Sequence, residues 1–164
     1  MSQQSLGFEQ ALSGQGLGED EDWIIRLGFL IHDCARLRRL VLDEKFKPLH
    51  ITRSQAWLLA YLSRSDGAPQ SALAEQMSLG NVALGRLIDR LETRGLLERR
   101  TEPTDRRVNN IYLTQAGKKV IVQMRRLTLE ANESILRDIE FADVKETAQL
   151  LTLLCSNLKE MRGS

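Results

Sequence analysis

The sequence predicts a mainly α-helical fold that contains one small β-hairpin. Apolar residues recur at spacings of three and four over residues 23–46, 115–138 and 144–161, which is typical of long amphipathic helices. Three shorter helical runs lie between the first two, and the first of these begins near residue 51 with a capping-box pattern at Thr52 and Gln55. Two strand-like runs follow at residues 96–100 and 108–113. The order of these elements predicts one intertwined domain, in which residues 48–114 form a central region flanked by long helices at 19–47 and 115–164.

The central region has the pattern of a helix-turn-helix. A short helix is predicted over residues 71–77 and a second one over 81–93, with Gly95 as the expected stop. Small, turn-prone residues at 78–81 separate the two helices. One side of the second helix is polar and basic, as in a helix that enters a DNA groove. The predicted apolar stripe on its other side consists of Val82, Leu84, Leu87, Ile88 and Leu91.

The hairpin after this helix has a basic loop at residues 101–107, which contains Pro103 and the run Asp105-Arg106-Arg107. A hairpin directly after a recognition helix is a wing, and a basic tip suits phosphates or a narrow minor groove. Taken alone, the loop is more typical of a solvated charged hairpin. Next to a helix-turn-helix, the DNA-binding interpretation is favoured. The fold class is therefore predicted to be a winged helix-turn-helix with flanking dimerisation helices.

Residues 73–117 closely resemble the winged-helix core of MarR/SlyA-type transcriptional regulators. The most specific segments are RLIDRLE at 86–92, RGLL at 94–97, DRR at 105–107 and LTQAG at 113–117. The resemblance extends more loosely from about Trp23 to the C-terminus. It implies a homodimer that binds a palindromic operator, by family default as a repressor, and that is released by a small ligand or an oxidant.

The resemblance also implies roles for individual residues in DNA binding. Arg86 and Arg90 match basic positions of the family's recognition helix, so Arg86 is assigned to a base edge or phosphate and Arg90 to a phosphate or a structural ion pair. Arg106 or Arg107 matches the minor-groove arginine of the wing, and Asp105 is expected to orient it. Two such helices about one helical turn apart imply a pseudo-palindromic operator.

The recognition helix departs from the family pattern at two positions. Ala83 and Gly85 stand where many members have Ser or Thr, so Asn81 and the backbone amides at the helix start must supply more of the contact. Ser78 replaces the glycine that is common in the preceding turn. The residues predicted to contact DNA are Ser71, Asn81, Val82, Arg86, Arg90, Asp105, Arg106 and Arg107.

A ligand cavity is implied where the dimerisation helices meet the winged region. A mixed aromatic and cationic lining suits an aromatic carboxylate, and the basic residues near the end of the first helix suit an aryl-CoA thioester. The alternatives stay open: tryptophan and tyrosine at helical spacing are typical core residues, histidines are commonly structural or exposed, and a basic cluster is typical of a solvated face. The candidates are His32, Arg36, Arg38, Arg39, His50, Trp57 and Tyr61.

The two cysteines form no disulfide framework. Oxidant-sensing members of the family carry a reactive cysteine on the first helix, which makes Cys34 a rival trigger. However, Cys34 falls on the apolar stripe, where a buried thiol is inert, and Cys155 is predicted to be a core residue. An enzyme is not favoured, because the sequence has neither a phosphate-binding loop nor paired metal-ligand spacing, and no cofactor or metal is predicted. A winged helix used only for protein contacts is the alternative from another class.

The distribution of charge supports a nucleic-acid partner better than the net charge of +1 does. Residues 1–22 hold five acidic residues and no lysine or arginine, so the remainder has 23 basic residues against 17 acidic ones. A phosphate backbone responds to this local basicity. Residues 1–18 are expected to be a flexible tail, and a cytoplasmic protein is expected because no apolar run has the length of a membrane span. The long apolar helices predict a homodimer interface.

Overall fold

The computed structural model describes residues 19–101 and 109–163. A mainly helical chain with one small antiparallel sheet is observed, as predicted. The elements in chain order are α1 (Glu19–Phe46), a 3-10 turn (Lys47–Leu49), α2 (Arg53–Leu62), β1 (Ala68–Pro69), α3 (Gln70–Gln76), α4 (Asn81–Thr93), β2 (Leu97–Thr101), β3 (Asn109–Leu113), α5 (Gln115–Ile135) and α6 (Phe141–Gly163).

The junction between α1 and α2 follows local sequence signals. Pro48 lies in the 3-10 turn directly after α1, and His50 then takes a left-handed conformation with φ 52°. Thr52 caps α2: its hydroxyl oxygen accepts the Gln55 backbone N–H at 3.4 Å, and its own N–H donates to the Gln55 side chain at 2.9 Å. The predicted capping box is therefore confirmed.

An ion pair also links α1 to α2. The Arg53 guanidinium donates from Nε to Asp43 Oδ2 at 3.0 Å, and a second nitrogen of the same fork contacts that carboxylate. The hydrogen bond from Arg53 holds the pKa of Asp43 below its ordinary value, and the same contact raises the pKa of Arg53. Because both side chains are substantially exposed, solvent screens this pair, and it contributes more to geometry than to stability.

A single core joins α2, α3, α4 and the sheet. Its fully buried members are aliphatic side chains contributed by every one of these elements, and each stabilises the fold by about 1.5–3 kcal/mol relative to an exposed position. The core therefore holds the helix-turn-helix and the base of the hairpin together as one lobe. These residues are Leu58, Leu59, Leu62, Leu73, Leu84, Ile88, Leu91, Leu97 and Ile111.

The sheet has the strand order β1-β3-β2, with both pairs antiparallel. The hairpin register runs from Leu97 opposite Leu113 to Thr101 opposite Asn109. No sequence pattern predicts β1, because a two-residue strand that includes Pro69 has no alternation of apolar and polar residues. Its only strand neighbour in the described sheet, β3, lies more than forty residues further along the chain.

The break between the last two helices differs from the prediction. Helix α5 ends at Ile135, not near 138, and α6 begins at Phe141, not at 144. Asp138 adopts a left-handed conformation with φ 65°, which interrupts helical geometry between the two. At its other end α5 begins as predicted, with the Thr114 hydroxyl accepting the Gly117 N–H at 3.1 Å.

Helices α1 and α6 leave many apolar side chains exposed in the single chain. The predicted burial of Cys34 and Cys155 is wrong for the single chain, because both lie exposed on helices that the rest of the chain does not cover. None of the helices in the described ranges has the length and apolarity needed to span a bilayer. The exposed residues are Trp23, Ile24, Leu27, Leu30, Ile31, Leu37, Leu40 and Val41 on α1, and Phe141, Leu150, Leu151, Leu153, Leu158 and Met161 on α6.

Candidate nucleic-acid interface

Helix α4 has the bounds that the sequence predicts. It follows Gly80, runs from Asn81 to Thr93, and ends before Gly95, which takes a left-handed φ of 68°. In the preceding turn Ser78 has a φ of 51°, so the position where glycine is common in the family does require the conformation that glycine favours. The helix buries four residues against the core, namely Leu84, Leu87, Ile88 and Leu91.

The first turn of α4 projects beyond the core. Val82 is 71% exposed, so its place in the predicted buried stripe is wrong, because no other element covers the start of the helix. Asn81 and Ser71 are also exposed. Val82 and Arg86 are four residues apart and therefore lie on the same side of α4, with Arg90 a further turn along. This exposed face contains the described DNA-contact candidates of the recognition helix.

The arginines of the helix-turn-helix differ in what they contact. Arg86 and Arg90 are exposed, and neither forms an ion pair with any residue in ranges 19–101 and 109–163. Arg94, just past the helix, instead donates to the carbonyl oxygens of His50 at 2.7 Å and Leu49 at 3.2 Å. It therefore ties the end of α4 to the turn that follows α1.

Arg99 on β2 is bound to α4 by four contacts. Its guanidinium pairs with Asp89 at 2.5 Å and with the carboxylate of Glu92, and it donates to the Gly85 carbonyl oxygen at 3.3 Å. Its backbone N–H donates to Glu92 at 3.0 Å. These contacts fix the first strand of the hairpin against the recognition helix.

The base of the hairpin is braced on its other side by Arg100. Its Nε donates to Glu98 at 2.9 Å, and its guanidinium lies over the Tyr112 ring, 4.4 Å from the centroid. The predicted wing-tip residues Asp105, Arg106 and Arg107 lie outside the described residues, so their assignment stays a prediction.

Residues 51–108 match the model of the MarR family. The predicted resemblance to MarR-type transcriptional regulators is therefore confirmed. A crystal structure of a mutant MarR from E. coli complexed with operator DNA is 28% identical, covers 81% of this chain and 96% of its own, and has a TM-score of 0.69. Wild-type apo MarR from E. coli is 27% identical, with 78% and 95% coverage and a TM-score of 0.70. A MarR transcriptional regulator from Methanosarcina mazei Go1, at 24% identity, 82% and 97% coverage and a TM-score of 0.74, shares the fold.

An open groove of about 490 Å³ runs beside the C-terminal half of α4. Of the predicted ligand contacts, only His50 lines it, whereas Arg90 was predicted as a DNA contact. No local sequence signal points to Arg94 or Thr52 here, because they come together only when α2 packs beside α4. The lining residues are His50, Thr52, Gln55, Arg90, Thr93 and Arg94.

The other predicted ligand residues lie elsewhere. His32, Arg36, Arg38 and Arg39 are distributed along α1, where Arg36 pairs with Asp33 at 3.1 Å and Arg39 donates to the Ala35 carbonyl oxygen at 3.3 Å. Trp57 is 63% exposed, so the interpretation of this residue as core is wrong for the single chain. Tyr61 is half-buried and packs against the core. None of these residues lines the groove beside α4.

Proposed function

We propose that this protein is a MarR-type regulator that binds operator DNA by inserting α4 into the major groove. The observation that carries the proposal is the pair of exposed arginines, Arg86 and Arg90, on the outward face of α4, neither of which pairs with a carboxylate in the described part of the chain. Exposed guanidinium groups can bind phosphates and guanine edges. The similar MarR that was solved with operator DNA supports this use of the fold.

The operator-binding form is proposed to be a homodimer. The apolar residues that α1 and α6 expose would be poorly solvated, and α6 buries none of its residues within the single chain. A two-fold dimer repeats the same α4 surface, so that two recognition helices contact half-sites about one helical turn apart. A pseudo-palindromic operator follows from this arrangement. Repression is proposed because it is the default of the family that the chain resembles.

Arg86→Ala should weaken binding to a duplex selected by the full chain from a random-sequence library. A base-edge or phosphate contact of this kind contributes about 1–3 kcal/mol, so the dissociation constant should rise roughly tenfold. The slope of log affinity against log salt should fall by about one for a lost phosphate contact. Fluorescence anisotropy at several salt concentrations measures both quantities.

The matched control is Arg125→Ala, which removes an exposed arginine from α5, outside the winged-helix lobe. Its binding and salt dependence should stay close to those of the unchanged protein. Wild-type binding that does not respond to salt would contradict the proposal and favour a winged helix used for protein contacts, because counterion release accompanies every phosphate contact.

We further propose that a small aromatic acid or its CoA thioester releases the DNA. The groove beside α4 combines His50 and Arg90, two side chains that can bind a carboxylate, and Arg90 is also a proposed DNA contact. A carboxylate bound there would compete with DNA for the same guanidinium. Arg36, Arg38 and Arg39 on α1 are proposed to take the phosphates of a thioester. Oxidation of Cys34, which is exposed in the single chain, is the alternative trigger.

A thermal melt in the presence of each compound tests this release mechanism. A ligand that binds the folded state at one hundred times its dissociation constant should add about 2.7 kcal/mol of stability and raise Tm. Arg90→Gln should abolish the increase in Tm that a free acid causes. Arg38→Gln should reduce only the increase in Tm that a thioester causes. The contrary outcome is that neither compound shifts Tm, while a hydroperoxide shifts Tm of the unchanged protein and not of Cys34→Ser. That result would favour redox sensing over ligand sensing.

A further inference from the structure

We propose that Arg99 is a positioning residue that holds Asp89 away from Arg86 and so keeps Arg86 available for DNA. The inference rests on the proposed DNA-binding function of α4. It adds a role for a residue of β2 that the assignment of DNA contacts does not include.

The spacing of charges on α4 creates the need for such a residue. Arg86 and Asp89 are three positions apart, and an arginine and an aspartate at that spacing on a helix surface can form an ion pair. In the structure they do not, because Asp89 pairs with Arg99 at 2.5 Å. Arg86 therefore has no carboxylate partner in the described part of the chain, although one lies within reach of its helix face.

The planar fork of Arg99 allows one side chain to engage two carboxylates. One terminal nitrogen contacts Glu92 and the other contacts Asp89 at 2.5 Å, while the Gly85 carbonyl accepts at 3.3 Å. The Arg99 side chain is 24% exposed and that of Glu92 36%, so this pair is partly shielded from water and salt. The Asp89 side chain is 62% exposed, so its pair with Arg99 is held by the fork geometry more than by burial. A lysine at this position has one ammonium group and lacks the fork geometry.

The backbone strengthens the same contact. β2 is an edge strand, and the N–H of Arg99 that does not pair with β3 donates to Glu92 at 3.0 Å. Glu92 thus binds both the main chain and the side chain of Arg99, which sets where the guanidinium lies along α4. The carboxylates of Asp89 and Glu92 are compensated by this one cation, so they repel DNA phosphates less than unpaired carboxylates would.

Arg99→Gln should therefore weaken DNA binding although Arg99 is not a proposed DNA contact. With the cation removed, Asp89 pairs with Arg86, and the dissociation constant for the selected duplex should rise about tenfold, with a loss of about one in the salt slope. The matched control is Arg100→Gln, which removes the same charge from the next residue of β2, where the side chain contacts Glu98 and Tyr112 instead of α4. The control should change affinity by less than about threefold.

The rescue experiment separates charge positioning from a purely structural role. Asp89→Asn removes the competing carboxylate. The fold increase in DNA affinity that this substitution causes should be roughly five times larger in the Arg99→Gln background than in the otherwise unchanged protein. The salt slope should recover with it. If circular dichroism shows that Arg99→Gln does not fold, Arg99→Lys takes its place in the same comparison with and without Asp89→Asn. We then expect a smaller loss of DNA affinity, which Asp89→Asn again reverses.

Equal gains from Asp89→Asn in both backgrounds would overturn the proposal, as would equal losses from Arg99→Gln and Arg100→Gln. Both results would leave the proposed function intact, because the wild-type protein would still bind DNA in a salt-dependent way. Wild-type protein that shows no such binding overturns the proposed function and this inference together.

Discussion

Gly117→Ala should lower the free energy of unfolding by about 3 kcal/mol. A Cβ at this position would lie 2.1 Å from the Leu96 carbonyl oxygen and 3.3 Å from Leu113 Cδ2. Helix α5 cannot simply move away from this clash, because Thr114 holds its start in place. The Thr114 hydroxyl donates to the Gly95 carbonyl oxygen at 2.6 Å, and its N–H donates to the Leu96 carbonyl oxygen at 3.1 Å.

Gly85→Ala is the matched control for this substitution, because it also places a methyl group on a helix of the winged lobe. The nearest atom to its Cβ would be Gln70 Nε2 at 3.8 Å, an ordinary contact. Alanine should therefore stabilise α4 by up to about 1 kcal/mol through its higher helix propensity. Urea unfolding at a fixed protein concentration, followed by circular dichroism, measures both variants, and similar stabilities would contradict the close approach of α5 to Leu96.

Leu150→Glu combined with Leu153→Glu should convert the proposed homodimer into monomers. The two side chains are 58% and 59% exposed in the single chain and lie three residues apart, on one side of α6. If a partner covers that side, two carboxylates must be desolvated without a counter-charge, and the dimer dissociation constant should rise about a hundredfold or more. Sedimentation velocity over a range of protein concentrations measures the change.

The control for the dimer variant is Lys159→Glu, which changes the net charge of α6 by the same two units at a position that is already charged and exposed. It should remain dimeric. The leucine variant should also lose binding to a full operator, because a monomer engages one half-site only. A double leucine variant that stays dimeric would show that the partner does not cover this face of α6.

The elements that sequence predicts well are those with all their signals close together. The turn at 78–81, the apolar stripe and Gly95 lie within eighteen residues of one another, and α4 has the predicted bounds. The capping box of Thr52 and the cap at Thr114 are similarly local. β1 was beyond prediction because its pairing with β3 is formed across more than forty residues. Local pattern also placed Val82 and Trp57 in the core, since periodicity does not say whether a neighbour reaches the end of a stripe.

By itself, the sequence determined the helix-turn-helix, the hairpin that follows it and a surplus of arginines across the two. Hydrophobic periodicity, turn residues and helix caps act over a few residues, so they can be recognised without a structure. Only the tertiary structure decided which described arginines remain available. Arg94 is bound by carbonyl oxygens more than forty residues away and Arg99 by carboxylates of another element, whereas Arg86 and Arg90 face outward without a carboxylate partner in the described ranges. Whether an arginine side chain remains available to bind DNA depends on packing, because the elements folded against it determine its partners.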